Sequence, residues 1–481
     1  MTLGKHPLSL HAFSLVHFFE RFSYYGILSI LLLFLTQKLG FSDARSYAIL
    51  GVYGTLTYAT PLLGGYIADK FIGFYASLWI GLSLILLGHL SIFSFQNDFG
   101  LFLGLGLVVT GSGFYKSNMN GLIGNLYKHN KILKDSGYTI FYVYQNAGSF
   151  LAPVICGYVG LKIGWSYGFS LAGFGGIFAL ITLFFTSNVK RLFDTQSVKL
   201  KLKWYNVLLL IGGGGILAAL LSFVIYKGEE TLDLLLLLSL IYFAIFLKHY
   251  VSLPYKQKGN MLVIAFGIIA VALSGALINH GGTVFTLFMS RNIDPALLNF
   301  NVPVTFIQAV DPLTVVVLGP AIAILWKYFS GKKKHIPGVF KVLFGFLLIV
   351  ISYIYLLSLC YWGEENGLIS VIPFTIALVL LAASDIFIYP SVLTFCSRLT
   401  PPGLSGIVMG FIVFGMSLSQ LIGAYLAKLS AASSLEKVDK NSSLEVYKGF
   451  FSTVTILSLS ILIMSSLCVW QIYKKKNKYG S

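Results

Sequence analysis

The sequence predicts an all-α integral membrane protein, with fourteen transmembrane helices grouped as six, two and six. Three observations carry that prediction: a composition poor in charge, apolar runs long enough to span a bilayer, and basic loops that follow even-numbered runs. Of 481 residues, 57% are hydrophobic and 11% charged, and the mean hydropathy is +0.83; soluble globular chains carry roughly 25% charged residues. The apolar runs reach about 20 residues or more, the length a helix needs to cross ~30 Å of hydrocarbon. A soluble core of this size would interleave polar faces at the helical period, and these runs do not.

The first six spans are expected over 10–37, 46–68, 74–95, 99–127, 138–161 and 165–187. The first is too long for a signal-peptide core, holds Glu20 and Arg21 at its centre, and is followed by no small-residue cleavage site, so it is expected to stay as a membrane helix. Two extra spans follow over 206–226 and 232–248, the former with the run Gly212-Gly213-Gly214-Gly215. Glycine in a membrane helix often marks close helix contact; a hairpin lying on the membrane is the alternative for this pair. The last six spans cover 261–289, 304–328, 338–360, 369–397, 403–429 and 448–472. This order divides the chain into an N-terminal bundle over 1–190, a linker with two helices over 191–260 and a C-terminal bundle over 261–481. Two related six-helix halves with a site between them at mid-membrane is a common transporter plan.

Charge sets the expected orientation. Basic clusters follow span 4 (Lys128, Lys131, Lys134), span 6 (Lys190, Arg191, Lys199, Lys201, Lys203) and span 8 (Lys248, Lys256, Lys258). Others follow span 10 (Lys332, Lys333, Lys334) and span 14 (Lys474, Lys475, Lys476, Lys478). By the positive-inside rule both termini are cytoplasmic. The opposite loops are leaner in bases and carry Glu229, Glu230, Glu364 and Glu365; Lys437 and Lys440 beside Glu436 and Asp439 fit least well. The net charge of +17 therefore reads as loop anchors facing anionic lipid, and nucleic-acid binding is excluded as a function. Cys156, Cys360, Cys396 and Cys468 show no metal or redox spacing and read as packing residues.

Charged residues at the centre of a membrane helix cost roughly 2.5–3.5 kcal/mol each on insertion scales, so each marks a candidate site. His17, Glu20, Arg21 and Tyr24 recur at i, i+3, i+4, i+7 and share one helical face, which is expected to line a water-filled cavity. Adjacent residues point about 100° apart, so Glu20 and Arg21 are each expected to find a partner on another helix. Lys116, in span 4, needs a carboxylate or a substrate anion and lies too deep to snorkel. The nearby glycines at 104, 106, 111 and 113 lack nucleotide-binding spacing and read as helix packing. Asn146 lies in span 5, Asp311 precedes Pro312, and Asp385 stands five residues before Pro390. Carboxylates beside prolines recur where transporter helices bend around a site.

These residues carry a family resemblance. The segment His17-x-x-Glu20-Arg21-Phe22-Ser23-Tyr24-Tyr25-Gly26 resembles the E-x-x-E-R-F-x-Y-Y-G motif of the proton-dependent oligopeptide transporters in the major facilitator superfamily. Gly64-Gly65-Tyr66-Ile67-Ala68-Asp69-Lys70 is similar to the superfamily's G-G-x-x-A-D-R signature at the cytoplasmic hinge. Phe114-Tyr115-Lys116-Ser117-Asn118 resembles F-K-P-N with a shifted aromatic. Phe141-Tyr142-Val143-Tyr144-Gln145-Asn146-Ala147-Gly148-Ser149 is similar to F-Y-x-x-I-N-x-G-S, and Gly164-Trp165-Ser166-Tyr167-Gly168-Phe169 to G-W-x-Y-G-F. Bacterial members also insert a helical pair between their halves. The resemblance implies a major facilitator fold with alternating access, importing di- and tripeptides with protons. It implies that Arg21 and Lys116 hold the peptide carboxylate, that Asn146 and Asp385 hold its amino end, and that Tyr24, Tyr25 and Tyr58 line the pocket. Asp69 and Asn279 fall at its gating positions. Protons are the coupling ion, no other cofactor is implied, and a monomer in the plasma (inner) membrane is expected.

The chain departs from the family pattern at defined points. His17 replaces the first glutamate of the motif, and Leu28 a basic residue beyond Tyr-Tyr-Gly. Asn279, followed by His280, stands where span 9 usually has glutamate before glutamine. The family's gating ion pair thus loses both partners together, which strands no buried charge. Asp311 stands where asparagine is usual and adds an acid to the amino-end pocket. Proton coupling is therefore expected to fall on Glu20, against Arg21 and Lys116, with His17 and Asp311 as replacement sites. The alternative function keeps the fold and changes the cargo, to a modified amino acid, a peptide-like metabolite or an anion such as nitrate. No nucleophile–base pair or sizeable extramembrane domain supports an enzyme, and no repeated ring of charge supports a channel.

Overall fold

The computed structural model describes residues 6–95, 97–127, 133–186, 204–297, 300–331, 337–401, 404–431 and 440–478. Expected features at Lys128, Lys131, Lys332–Lys334, Lys437 and the 187–203 segment, with its domain boundary at 190, lie outside the described residues. The chain is built from long helices. Helix α1 (Leu8–Leu33) ends in a π turn (Phe34–Lys38), and α2 (Asp43–Ile67) in another (Ala68–Ile72). Next come α3 (Phe74–Phe95), α4 (Asp98–Leu126) and α5 (Lys134–Ala152), a π turn at Pro153–Gly157, α6 (Tyr158–Lys162) and α7 (Trp165–Phe185). Pro153 has no N–H to continue the α pattern, which explains why the fifth span changes geometry there.

The inserted pair is α8 (Trp204–Lys227) and α9 (Glu229–Ser252). Helix α10 (Tyr255–Ile278) stops at Asn279, and α11 (Val284–Asn292) resumes after a break containing Gly281 and Gly282, whose backbone freedom opposes helix. Two short sheets follow: β1 (Ile293–Asp294) pairs in parallel with β4 (Ile369–Ser370), and β2 (Ala296–Leu297) pairs antiparallel with β3 (Phe300–Asn301). A 3₁₀ turn (Val304–Ala309) leads into α12 (Val310–Gly331), followed by α13 (Gly338–Asn366), α14 (Val371–Leu399), α15 (Ser405–Lys428) and α16 (Lys440–Lys478).

Among the described residues, 11 helices are long and apolar enough to cross a membrane. The expected spans at α2, α5 and α8 are helical but fall outside that set. Helix α5 carries the polar residues Lys134, Gln145 and Asn146. Large apolar side chains such as Leu237, Leu240 and Phe243 on α9 face outward, as lipid-exposed helices require.

Contacts divide the chain into two compact units, Met1–Leu39 with Leu56–Gly228, and Gly40–Thr55 with Glu229–Ser481. The inserted helices, expected as one linker over 191–260, fall on either side of that division. In the first unit α3 packs on α4, α1 on α5 and α7, and α8 on α4. Its core joins Phe13 and Val16 of α1 with Leu82, Tyr115, Met119 and Phe141. In the second unit α13 packs on α14 and α16, and α10 on α15. Helix α9 is tied to α15 by Tyr425 donating to Asp233, by the Lys428–Glu229 pair at 3.4 Å, and by Tyr242 stacked on Phe414.

Candidate functional site

The polar face of α1 is buried because α5 and α7 close over it. Glu20 is 1% exposed and Arg21 6%. The sequence reading assigned each a partner on another helix; the structure corrects this. Arg21 donates from Nε to Glu20 Oε2 and from a terminal nitrogen to Glu20 Oε1, both at 2.6 Å. A 100° separation of Cα–Cβ directions does not separate the ends of two long side chains. The guanidinium fork folds back onto its neighbour, and the bidentate geometry satisfies both groups.

Lys116 is left without such a partner. Its Nζ is buried with no hydrogen-bond acceptor among the described residues. Instead it lies over two aromatic faces, 4.5 Å from the Tyr24 ring and 4.8 Å from the Tyr58 ring. Arg21 sits 5.0 Å over the same Tyr24 ring, and Tyr25 meets Tyr24 edge to face at 5.3 Å. Two cations thus converge on one phenol ring, while only Arg21 has a bonded carboxylate.

His17 occupies one end of this face. Its Nε2 lies 3.2 Å from Gln145 Oε1, which only accepts, so Nε2 carries the proton and Nδ1 accepts from Tyr115 Oη at 3.2 Å. The ring stacks on Phe141 at 4.4 Å, and Nδ1 is 3.6 Å from Glu20. Asn146 is buried and donates to the Tyr142 carbonyl of its own helix at 2.9 Å. Asp69, exposed, is the second residue of the π turn after α2. Just before it, Gly64 lies against α4 so closely that a Cβ would overlap the Gly113 carbonyl oxygen. Here glycine is required by contact, which gives the Gly-Gly-x-x-Ala-Asp segment a packing role.

The second unit holds the remaining predicted residues. Asp311, accessible, stands in the first turn of α12, and Asp385, half-buried, lies on α14, which packs on α12. The two carboxylates are close enough to interact electrostatically, and among the described residues neither has a hydrogen bond or an ion pair. Asn279 caps α10, its N–H on the Gly275 carbonyl at 3.0 Å.

Sequence reasoning missed the ion pairs of this unit, and the most buried of those described joins Arg291 to Asp43. Arg291 donates to both oxygens of Asp43, at 2.6 and 2.9 Å, and Asp43 is 4% exposed. Their separation of 248 positions left no local signal. It also missed Ser23, whose hydroxyl lies 2.6 Å from Nε2 of the buried His89. An apolar groove lined by Phe99, Phe102, Leu103 and Phe223 touches none of the predicted site residues. No three His, Cys, Asp or Glu side chains among the described residues are placed to hold a metal.

A profile of the POT family matches residues 74–445. The chain is 26% identical over 483 residues to dipeptide and tripeptide permease B of Salmonella typhimurium, covering 100% of this chain and 98% of the relative. It is 28% identical over 448 residues to the peptide transporter YePEPT of Yersinia enterocolitica, covering 87% of each. Among solved structures it resembles a peptide transporter POT in complex with alafosfalin, with TM-score 0.84, 24% identity, and coverage of 98% of this chain and 96% of the other. A POT family transporter in complex with 5-aminolevulinic acid gives TM-score 0.80 at 22% identity, covering 97% of each.

Proposed function

The chain belongs to the POT family, and on that premise we propose that it is a secondary active transporter carrying di- and tripeptides with protons by alternating access. One observation carries the reading: the Lys116 ammonium is caged by Tyr24 and Tyr58 with no acceptor among the described residues. Two cation–π contacts contribute about 0.5–2 kcal/mol each, whereas desolvating an ammonium costs several kcal/mol. The deficit is made good by an anion from outside the protein, and a peptide carboxylate supplies one. Arg21, over the same ring, takes part in the same clamp.

Glu20 supplies the coupling. An arriving carboxylate pairs with Lys116 and competes with Glu20 for Arg21, and a displaced carboxylate buried in the membrane takes a proton. Peptide and proton are thus bound together. The cationic amino group of the peptide falls to Asp385, Asn146 and Asp311, with Tyr25 shaping the pocket. His17, Asp69 and Asn279 keep their proposed coupling and gating roles. The protein is read as fourteen spans with cytoplasmic termini in the bacterial inner membrane, in contact with anionic lipid and working as a monomer.

A second reading keeps the fold and changes the cargo, because Asp311 adds an acid where the family pattern has asparagine. Such a pocket favours a solute with a stronger cationic end and disfavours a nitrate-like anion. Uptake of dialanine and trialanine into proteoliposomes, with and without an imposed pH gradient, tests the first reading. Saturable accumulation driven by the gradient is the expected result; none for either peptide rejects peptide symport. Competition by a panel of cationic amino acid derivatives decides for the second.

A further inference from the structure

Residues 279–283 leave the helix between α10 and α11, and the His280 side chain is buried within that break, 1% exposed. The backbone pins it there. Its carbonyl accepts from the N–H groups of Thr283 and Phe285, both at 3.1 Å, and its own N–H donates to Ile278 at 2.8 Å. The imidazole meets Phe285 and Phe450 at ring distances of 5.9 and 5.6 Å, nearly perpendicular to each. Nδ1 is 3.5 Å from the Thr283 hydroxyl, while Nε2 is buried with no hydrogen-bond partner among the described residues. A phenylalanine would fill the same aromatic niche without an unmade hydrogen bond.

We propose that His280 is a proton-binding residue of the transport cycle, taking a proton at Nε2 when the α10–α11 break opens and releasing it when the break closes. A neutral imidazole has one N–H and one lone pair, and its protonated form has two donors. The Ala276 carbonyl lies within reach of one ring N–H, and among the described residues Nε2 has no acceptor and the ring no bonded counter-charge. The elements around it carry Asp43, Arg291, Tyr353, Tyr447, Asp311, Asp385 and the Lys448–Glu364 pair. Arg291 is bonded to Asp43, Tyr353 to the Leu277 carbonyl and Lys448 to Glu364; none of these groups bonds the ring among the described contacts. The closed break therefore excludes the imidazolium. Opened to water, a histidine takes up a proton near neutral pH. Proton binding and closure then compete, and the coupling is reciprocal: a proton gradient biases the break, and closing it expels the proton. The position follows directly on Asn279, where the family resemblance places a gating glutamate that this chain lacks.

This rests on the reading of proton-driven transport. Gradient-driven dialanine accumulation and counterflow at equal pH are measured for wild type and His280→Phe in proteoliposomes. The expected result is a loss of about tenfold or more in gradient-driven accumulation, with counterflow kept within about twofold. Gradient-driven uptake left unchanged by His280→Phe overturns the inference alone; wild-type uptake indifferent to the gradient rejects the transport reading and takes the inference with it. Where the variant fails to fold, hydrogen exchange of wild-type amides 279–286 decides. Corrected for intrinsic rates, exchange is expected to rise about threefold or more between pH 7.5 and 5.5, and a flat profile overturns the proposal.

Discussion

Replacing Lys116 with Met removes the ammonium and keeps most of the volume, and the structure predicts opposite effects on stability and on binding. The ammonium has two ring contacts, at 4.5 and 4.8 Å, and no acceptor among the described residues. Ring contacts of about 0.5–2 kcal/mol each offset only part of a desolvation cost of several kcal/mol. The net deficit is on the order of 1–3 kcal/mol, and methionine, which packs against aromatic rings, recovers it. Lys116→Met is therefore expected to melt at a higher temperature than wild type in detergent. Binding moves the other way: a lost charge-assisted hydrogen bond of about 1.5–3 kcal/mol lowers dialanine affinity roughly 10–100-fold. Thermal melts with and without dialanine read both effects, since ligand protection scales with occupancy. Wild type should be protected by millimolar dialanine and the variant should not. A variant that melts lower than wild type, or that keeps affinity within about twofold, refutes the reasoning.

The Asp43–Arg291 pair makes a second prediction. Asp43→Asn leaves Arg291 facing a neutral amide at a buried site, a loss expected to be about 1–3 kcal/mol because Arg291 keeps 26% exposure. The double variant Asp43→Asn with Arg291→Gln should recover part of it in a melting double-mutant cycle, and strict additivity would argue against the pair. Gly64→Ala drives a Cβ into the Gly113 carbonyl, so folded yield should collapse; Gly214→Ala, with open space around it, should leave yield unchanged and gain about 0.5–1 kcal/mol from helix propensity. Asp311→Asn tests coupling at the second carboxylate. If Asp311 carries a coupled proton, the variant's uptake loses gradient dependence; unchanged dependence removes Asp311 from the coupling scheme.

Legibility differed among the site residues. The intramembrane charges could be found without coordinates, because a charge in an apolar run stands out wherever its helix later packs. Their partners could not. Glu20 and Arg21 were read as reaching to other helices, yet each is the other's partner, and Lys116 has none among the described residues. His280 was visible only as a replacement beside Asn279. Its burial in a helix break, with one nitrogen unbonded among the described residues, became apparent once Phe285 and Phe450 were placed around it.

What the sequence by itself determined was the solvent, the succession of apolar segments and the polar residues placed against that solvent's preference. Hydropathy is a local quantity: each run of about 20 residues carries its own transfer free energy into hydrocarbon, and its sum needs no knowledge of neighbours. The tertiary structure decided which charges are neutralised internally and which are left to meet a ligand. That choice depends on helix rotation and side-chain reach across contacts such as Lys116 over Tyr58, or Arg291 on Asp43. In a medium of low dielectric a displacement of a few ångströms separates a satisfied ion pair from an exposed demand for a counter-charge. The membrane was therefore written in composition, and the binding chemistry in the geometry that composition was folded into.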